Sequence, residues 1–131
     1  MAGSQAHQFL PARLEIEEIA PNQHMLHWEP NDSAEPGEPA MLRPLQLRLP
    51  SHCRMQRTGT AQNVHQLDCV APGLRGHRLG IDGLGLNLTE ALVTVRLLDG
   101  SRFHFVLDGE DGAQEIPATD DALSSIRSFF A

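Results

Sequence analysis

The chain has 131 residues, 40% hydrophobic and 21% charged, with 17 acidic side chains against 10 basic ones and a formal charge of −7. That length suits one domain able to bury its own core. The acidic balance argues against a nucleic-acid or anionic-membrane surface, where clustered positive charge supplies the affinity, and no stretch approaches the ~20 consecutive apolar residues of a membrane span.

The opening residues, MAGSQAHQF, have neither the basic start nor the apolar core of a signal peptide. Residues 1–6 are read as a cloning remnant and export-cleavage region, with the natural start near Gln5, Ala6 or His7. Leu14, Ile16 and Ile19 then mark a first strand, and Leu26 with Trp28 a second, on which His27 points the other way. The stretch from Pro30 to Pro39, PNDSAEPGEP, is polar and rich in proline and acid, the composition of a solvated loop. Leu45, Leu47 and Leu49 alternate against Gln46 and Arg48 until Pro50, and Val64 to Val70 form a weaker strand with Leu67 and Cys69 on one face.

The next segment, GLRGHRLGIDGLGLNL at 73–88, holds glycines at 73, 76, 80, 83 and 85. A dinucleotide fingerprint needs G-x-G-x-x-G between a strand and a helix, and this spacing does not supply it. Leu79 and Ile81 alternate instead, a turn falls at Asp82-Gly83, and Leu84, Leu86 and Leu88 alternate again. The glycines therefore read as turn residues and as room where strands pass closely. The clearest signal follows, ALVTVRLLDGSRFHFVLDG. Ala91, Val93, Val95 and Leu97 share one face, and so do Phe103, Phe105 and Leu107. Asp99-Gly100 between the two runs predicts a hairpin with a two-residue type I′ loop, both central residues at positive φ. After Thr119 or Asp120 as N-cap, Leu123, Ile126, Phe129 and Phe130 take helical spacing. The expected architecture is all-β: a single β-sandwich, immunoglobulin-like or similar, of seven or eight short strands over residues 7–118, with a short C-terminal helix over 119–131.

Catalytic patterns are missing. The chain has no G-x-S-x-G elbow, H-E-x-x-H, C-x-x-C or P-loop. Glu17-Glu18, Glu110-Asp111 and Asp120-Asp121 fall at loops and element ends, where solvated charge is the default, so the expectation is a protein that is not an enzyme. Cys53 and Cys69 are the only cysteines, without metal-type spacing. In an oxidising compartment they form a disulfide, and otherwise they are two buried thiols. Among seven histidines, His24 and His27 resemble a chelating pair, yet on a strand an odd separation sends them to opposite faces. His7 is the third metal candidate, because cleavage after Ala6 would place its imidazole beside a free amine, a donor pair suited to copper.

Three stretches, AHQFLPARLEIEEIAPNQHMLHWEP, LRPLQLRLPSHCR and GLRGHRLGIDGLGLNLTEALVTVRLLDG, resemble the soluble N-terminal region of bacterial HupE/UreJ-type membrane proteins. The resemblance spans nearly the whole chain. It rests on His7, Phe9 and Pro11, on Cys53 and Cys69, on Gly73, Leu74, Gly76, Leu79, Ile81, Gly83 and Leu84, and on Thr89 to Leu97. It implies a non-catalytic extracytoplasmic module, on the periplasmic or extracellular face of a bacterial membrane. Its partners would be its own transmembrane region, approached through SSIRSFFA, and possible protein ligands, but no nucleic acid. The histidine- and acid-bearing membrane motif tied to nickel handling in that family is absent, so transport passes to no residue here. The alternative expectation is a periplasmic copper- or nickel-binding domain using His7 with His24 and His27.

Overall fold

A computed structural model describes residues 10–31, 44–57, 63–71, 73–86, 89–109 and 112–118. Nine strands run through them: β1 (Ala12–Ala20), β2 (Gln23–Glu29), β3 (Gln46–Arg48), β4 (Cys53–Arg57), β5 (Val64–Cys69), β6 (Arg78–Asp82), β7 (Glu90–Arg96), β8 (Arg102–Asp108) and β9 (Ala113–Glu115). They form a six-stranded sheet in the order β4-β5-β2-β1-β7-β8 and a three-stranded sheet in the order β3-β6-β9. The expected β-sandwich is the arrangement found. The predicted C-terminal helix, the acidic loop from Asp32 to Pro39 and Leu88 lie outside the described residues.

β1 occupies the middle of the large sheet, antiparallel to β2 and parallel to β7. Its alternation is strong because both edges are paired and one face is covered: Ala12, Leu14 and Ile16 are buried, with Arg13, Glu15 and Glu17 between them exposed. Residues directly opposite share a face, so Leu14 sits between Trp28 and Val93, and Ile16 between Leu26 and Val95. Phe103, Phe105 and Leu107 of β8 extend these rows through Val95, Val93 and Ala91. The small sheet closes the core with Leu79 and Ile81, joined by Leu45, Leu74, Leu84 and Ile116.

Three sequence expectations are corrected. Ile19 is 52% exposed, because with Ala12, Leu14, Ile16 and Glu18 pointing inward the two-residue period places it on the outer face with Arg13, Glu15 and Glu17. Leu84 and Leu86 belong to a turn rather than a strand, with Leu84 buried in the core and Leu86 exposed. The β7–β8 loop has three residues, Leu98, Asp99 and Gly100. Leu97 N–H donates to Ser101 O at 2.9 Å and Gly100 N–H donates to Leu97 O at 3.0 Å. Only Gly100 has positive φ, at 91°, the pattern of a type I turn closed by a glycine bulge. Asp99 keeps negative φ while its carboxylate accepts the Ser101 N–H at 2.8 Å.

Gly80 fills its predicted role in a close strand approach, since a Cβ there would lie 3.2 Å from Gly112 O. At Gly100 the space is open, and only the backbone demands glycine. Gly100→Val is therefore expected to destabilise the protein by roughly 1–2 kcal/mol through backbone strain alone. Thermal melting would show this, with Gly100→Asn losing clearly less because asparagine tolerates positive φ.

Candidate functional site

The inner face of the large sheet does not stay apolar along its length. Inward positions of β1 run Ala12, Leu14, Ile16, Glu18, and those of β2 run Trp28, Leu26, His24. The rung after Ile16 and Leu26 is thus Glu18 opposite His24, a polar pair at the end of the core. His24 is 1% exposed, and its Nδ1 lies 3.1 Å from the carbonyl of Leu67, its partner on β5. A carbonyl only accepts, so Nδ1 carries the proton and donates, and in the neutral ring Nε2 holds the lone pair.

Glu18 ties two turns together. Its Oε2 accepts the Asn22 N–H at 3.1 Å in the β1–β2 turn, and its Oε1 accepts the Leu98 N–H at 3.0 Å in the β7–β8 turn. Asn22 adopts φ of 63°, a conformation asparagine accepts more readily than most residues. Opposite them stands Arg75 of the glycine-rich segment. Its Nη2 donates to Asp99 Oδ2 at 2.6 Å and Ser101 Oγ at 2.7 Å, and its Nη1 donates to Pro117 O at 3.2 Å. Its guanidinium also lies 5.8 Å from the Phe103 ring centroid.

These groups border a cleft of about 220 Å³, walled by Leu74, Leu97 and Leu98 as well as by Glu18, Asn22, His24, Arg75 and Asp99. A smaller depression of about 110 Å³ involves the outward-facing Glu15, Glu17, His27 and Thr94. Beside the cleft, the rings of His52 and His77 meet with centroids 4.3 Å apart, and His52 Nε2 donates to Gly73 O at 2.5 Å. This contact holds the glycine-rich loop against the disulfide Cys53–Cys69, which joins directly opposed residues of β4 and β5. Cys53 N–H bonds Pro50 O and Cys69 N–H bonds Asn22 O, so the two cysteines form a pair without mutual backbone bonds. Side chains approach most closely at such positions, which is why a bridge fits across the strands.

The Asp99 carboxyl is held down to about 2, first by the Ser101 backbone N–H it accepts, then by the Arg75 side chain, and then by the Ser101 hydroxyl. A depressed carboxyl contributes stability above its unfolded value and loses it as pH falls through the folded value. The loss therefore falls between about pH 4 and pH 2. Because the Asp99 side chain is 53% exposed, the pair is expected to be worth only about 0.2–1 kcal/mol. Asp99→Asn should flatten that part of the acid-unfolding curve and leave the curve above pH 5 parallel to the parent's, as measured by denaturation at stepped pH.

The predicted site residues distribute unevenly. Cys53 and Cys69 are bonded, and Gly83 and Gly100 are turn residues at positive φ. His24 and His27 do not converge: His24 faces inward to Leu67 O, whereas His27 faces outward with Nε2 3.0 Å from Glu29 Oε1. The strand period separates them, so they cannot share a metal. His7 lies outside the described residues. Among the described residues no group of three or more His, Cys, Asp or Glu side chains is placed to hold a metal ion. Glu18 departs from the reading of Glu17-Glu18 as solvated charge, since it is half-buried with both oxygens bonded to turn amides whereas Glu17 is exposed. Arg75, Asn22 and His52 were not singled out by sequence. Glu18 and His24 were legible in principle, as polar residues continuing the inward series.

No family model matches the chain, no curated protein matches it, and no solved structure matches it. Among the described residues no helix is long and apolar enough to cross a membrane.

Proposed function

We propose that the protein is a non-catalytic recognition or assembly module working in an oxidising, extracytoplasmic compartment, attached to a membrane protein of the HupE/UreJ kind. The observation that carries this reading is the disulfide at the end of the sandwich where the polar cleft lies. Disulfides persist in exported proteins and are rare in reducing cytosol. A sandwich that presents a cleft built from turns, as here from the β1–β2 turn, the glycine-rich loop and the β7–β8 turn, has the usual layout of a binding module. The membrane-protein part of the proposal rests on the sequence resemblance alone.

Fractionation of the native cell tests the proposal. With an antibody against this domain, the protein should sediment with membranes, be cut by protease added to intact spheroplasts, and carry no thiol that alkylates without reductant. A soluble cytoplasmic protein with Cys53 and Cys69 as free thiols would overturn the reading.

A further inference from the structure

We propose that the cleft between Glu18, His24 and Arg75 binds a primary alkylammonium group, with His24 Nε2 and the Glu18 carboxylate as its acceptors. Nδ1 of His24 is committed to Leu67 O, which leaves the Nε2 lone pair. Among the described residues every buried side-chain nitrogen and oxygen has a partner. Nε2 has no such bond, and His24 lines the cleft, so this atom opens into it rather than into sealed core. The Nε2 lone pair is therefore the acceptor that the inner wall of the cleft offers to a donor entering it.

The surrounding groups sort the ligand by charge. Each Glu18 oxygen accepts one backbone N–H, and a carboxylate has room for more. Arg75 spends donors on Asp99, Ser101 and Pro117. The cleft is thus bordered by two carboxylates and by one guanidinium whose donors are engaged elsewhere. An anionic ligand would meet Glu18 and the His24 lone pair and find no matching donor. An ammonium supplies three N–H donors and a positive charge together. Leu74, Leu97 and Leu98 offer an apolar wall to the stem. About 220 Å³ lies below the range that takes drug-sized molecules, which limits the stem to about the length of lysine's. All ten basic residues of the sequence are arginine, so none of its side chains is a primary ammonium, and the two sources compared are a free aliphatic amine and a lysine of a partner.

This proposal extends the recognition reading by naming a ligand class, and it is tested on the purified protein, so either can fail without the other. Isotope-labelled protein is titrated with butylammonium and, separately, with Nα-acetyl-lysine methylamide, against butanol and tetramethylammonium at matched ionic strength. The expected result is a saturable shift of the His24 Nε2 resonance and the Leu98 amide with an amine, and none with the controls. Saturation by both amines admits a partner's lysine, whereas saturation by butylammonium alone restricts the site to free amines. Glu18→Gln, checked for an intact spectrum, should weaken binding by roughly tenfold or more, since a hydrogen bond to a charged group is lost. His24→Phe should abolish saturation, and because that variant could fail to fold, the Nε2 shift in the parent protein carries the test without it. Absence of a saturable shift with either amine, an equal response to butanol, or unchanged affinity in Glu18→Gln would overturn the proposal.

Discussion

Reducing the Cys53–Cys69 bond is expected to lower the stability of the protein by about 3 kcal/mol, the chain-entropy value for a loop of this size. The bonded residues are 16 apart in sequence. For a domain of this length the melting temperature should fall by roughly 10 °C. β4 is the edge of the large sheet and pairs only with β5, and most of its residues are exposed, so little apolar burial holds it once the bridge is cut. The consequence should reach the cleft. Val70 N–H donates to His52 O, His52 donates to Gly73 O, and the His52 ring rests on His77, so loosening β4 releases the glycine-rich loop that carries Arg75. Melting with and without reductant checks this, with a Cys53→Ser, Cys69→Ser double variant as the reductant-insensitive reference. A melting temperature that stays put after complete reduction would sink the expectation.

The strands readable from sequence are those with one face covered by core. β1, β2, β7 and β8 show the two-residue period because alternate side chains enter the same apolar layer. β4 carried no such signal, since Arg54, Met55, Gln56 and Arg57 are all exposed at the sheet edge. β9 is three residues long, and its existence depends on a long-range pairing with β6. Gly112, just ahead of it, packs so close to β6 that a Cβ would lie 2.6 Å from Ile81 O, a constraint visible only once the chain is folded. The hairpin was legible and its loop was misjudged, because local preference for Asp-Gly does not register that Asp99 is also claimed by Arg75 from another loop.

The site was less legible than the fold. Sequence proximity drew attention to His24 with His27, but the strand period sends them apart and brings His24 instead to Glu18, six residues away around a turn. Arg75 lies in a segment dominated by glycine and reaches residues 24, 26 and 42 positions distant, so no local pattern marks it. Polar residues that continue a buried alternation beyond the apolar rungs are the signal that would have located the cleft.

Phe103→Ala is expected to cost about 3–5 kcal/mol, the largest effect of any single substitution considered. The ring is 2% exposed, faces Val95 across the hairpin, and stacks at 6.2 Å on Phe105. Truncation removes both its transfer free energy and the contacts of its neighbours, and the cost grows with the cavity that the surrounding structure leaves unfilled. Arg75 gives the position a second role, because its guanidinium approaches the same ring while holding Asp99 and Ser101. Phe103→Leu separates the two contributions. It restores most of the apolar volume and removes the aromatic face, and it is expected to recover all but about 1–2 kcal/mol, of which a cation–π contact accounts for roughly 0.5–1 kcal/mol. Denaturant unfolding of the parent and both variants measures the differences, with unchanged m-values needed for the comparison to report stability. If Phe103→Ala and Phe103→Leu lose the same amount, the ring acts through Arg75 and the turn rather than through the packed volume. If Phe103→Ala loses less than about 1 kcal/mol, the surrounding sheets close over the gap and the core is more plastic than its burial implies.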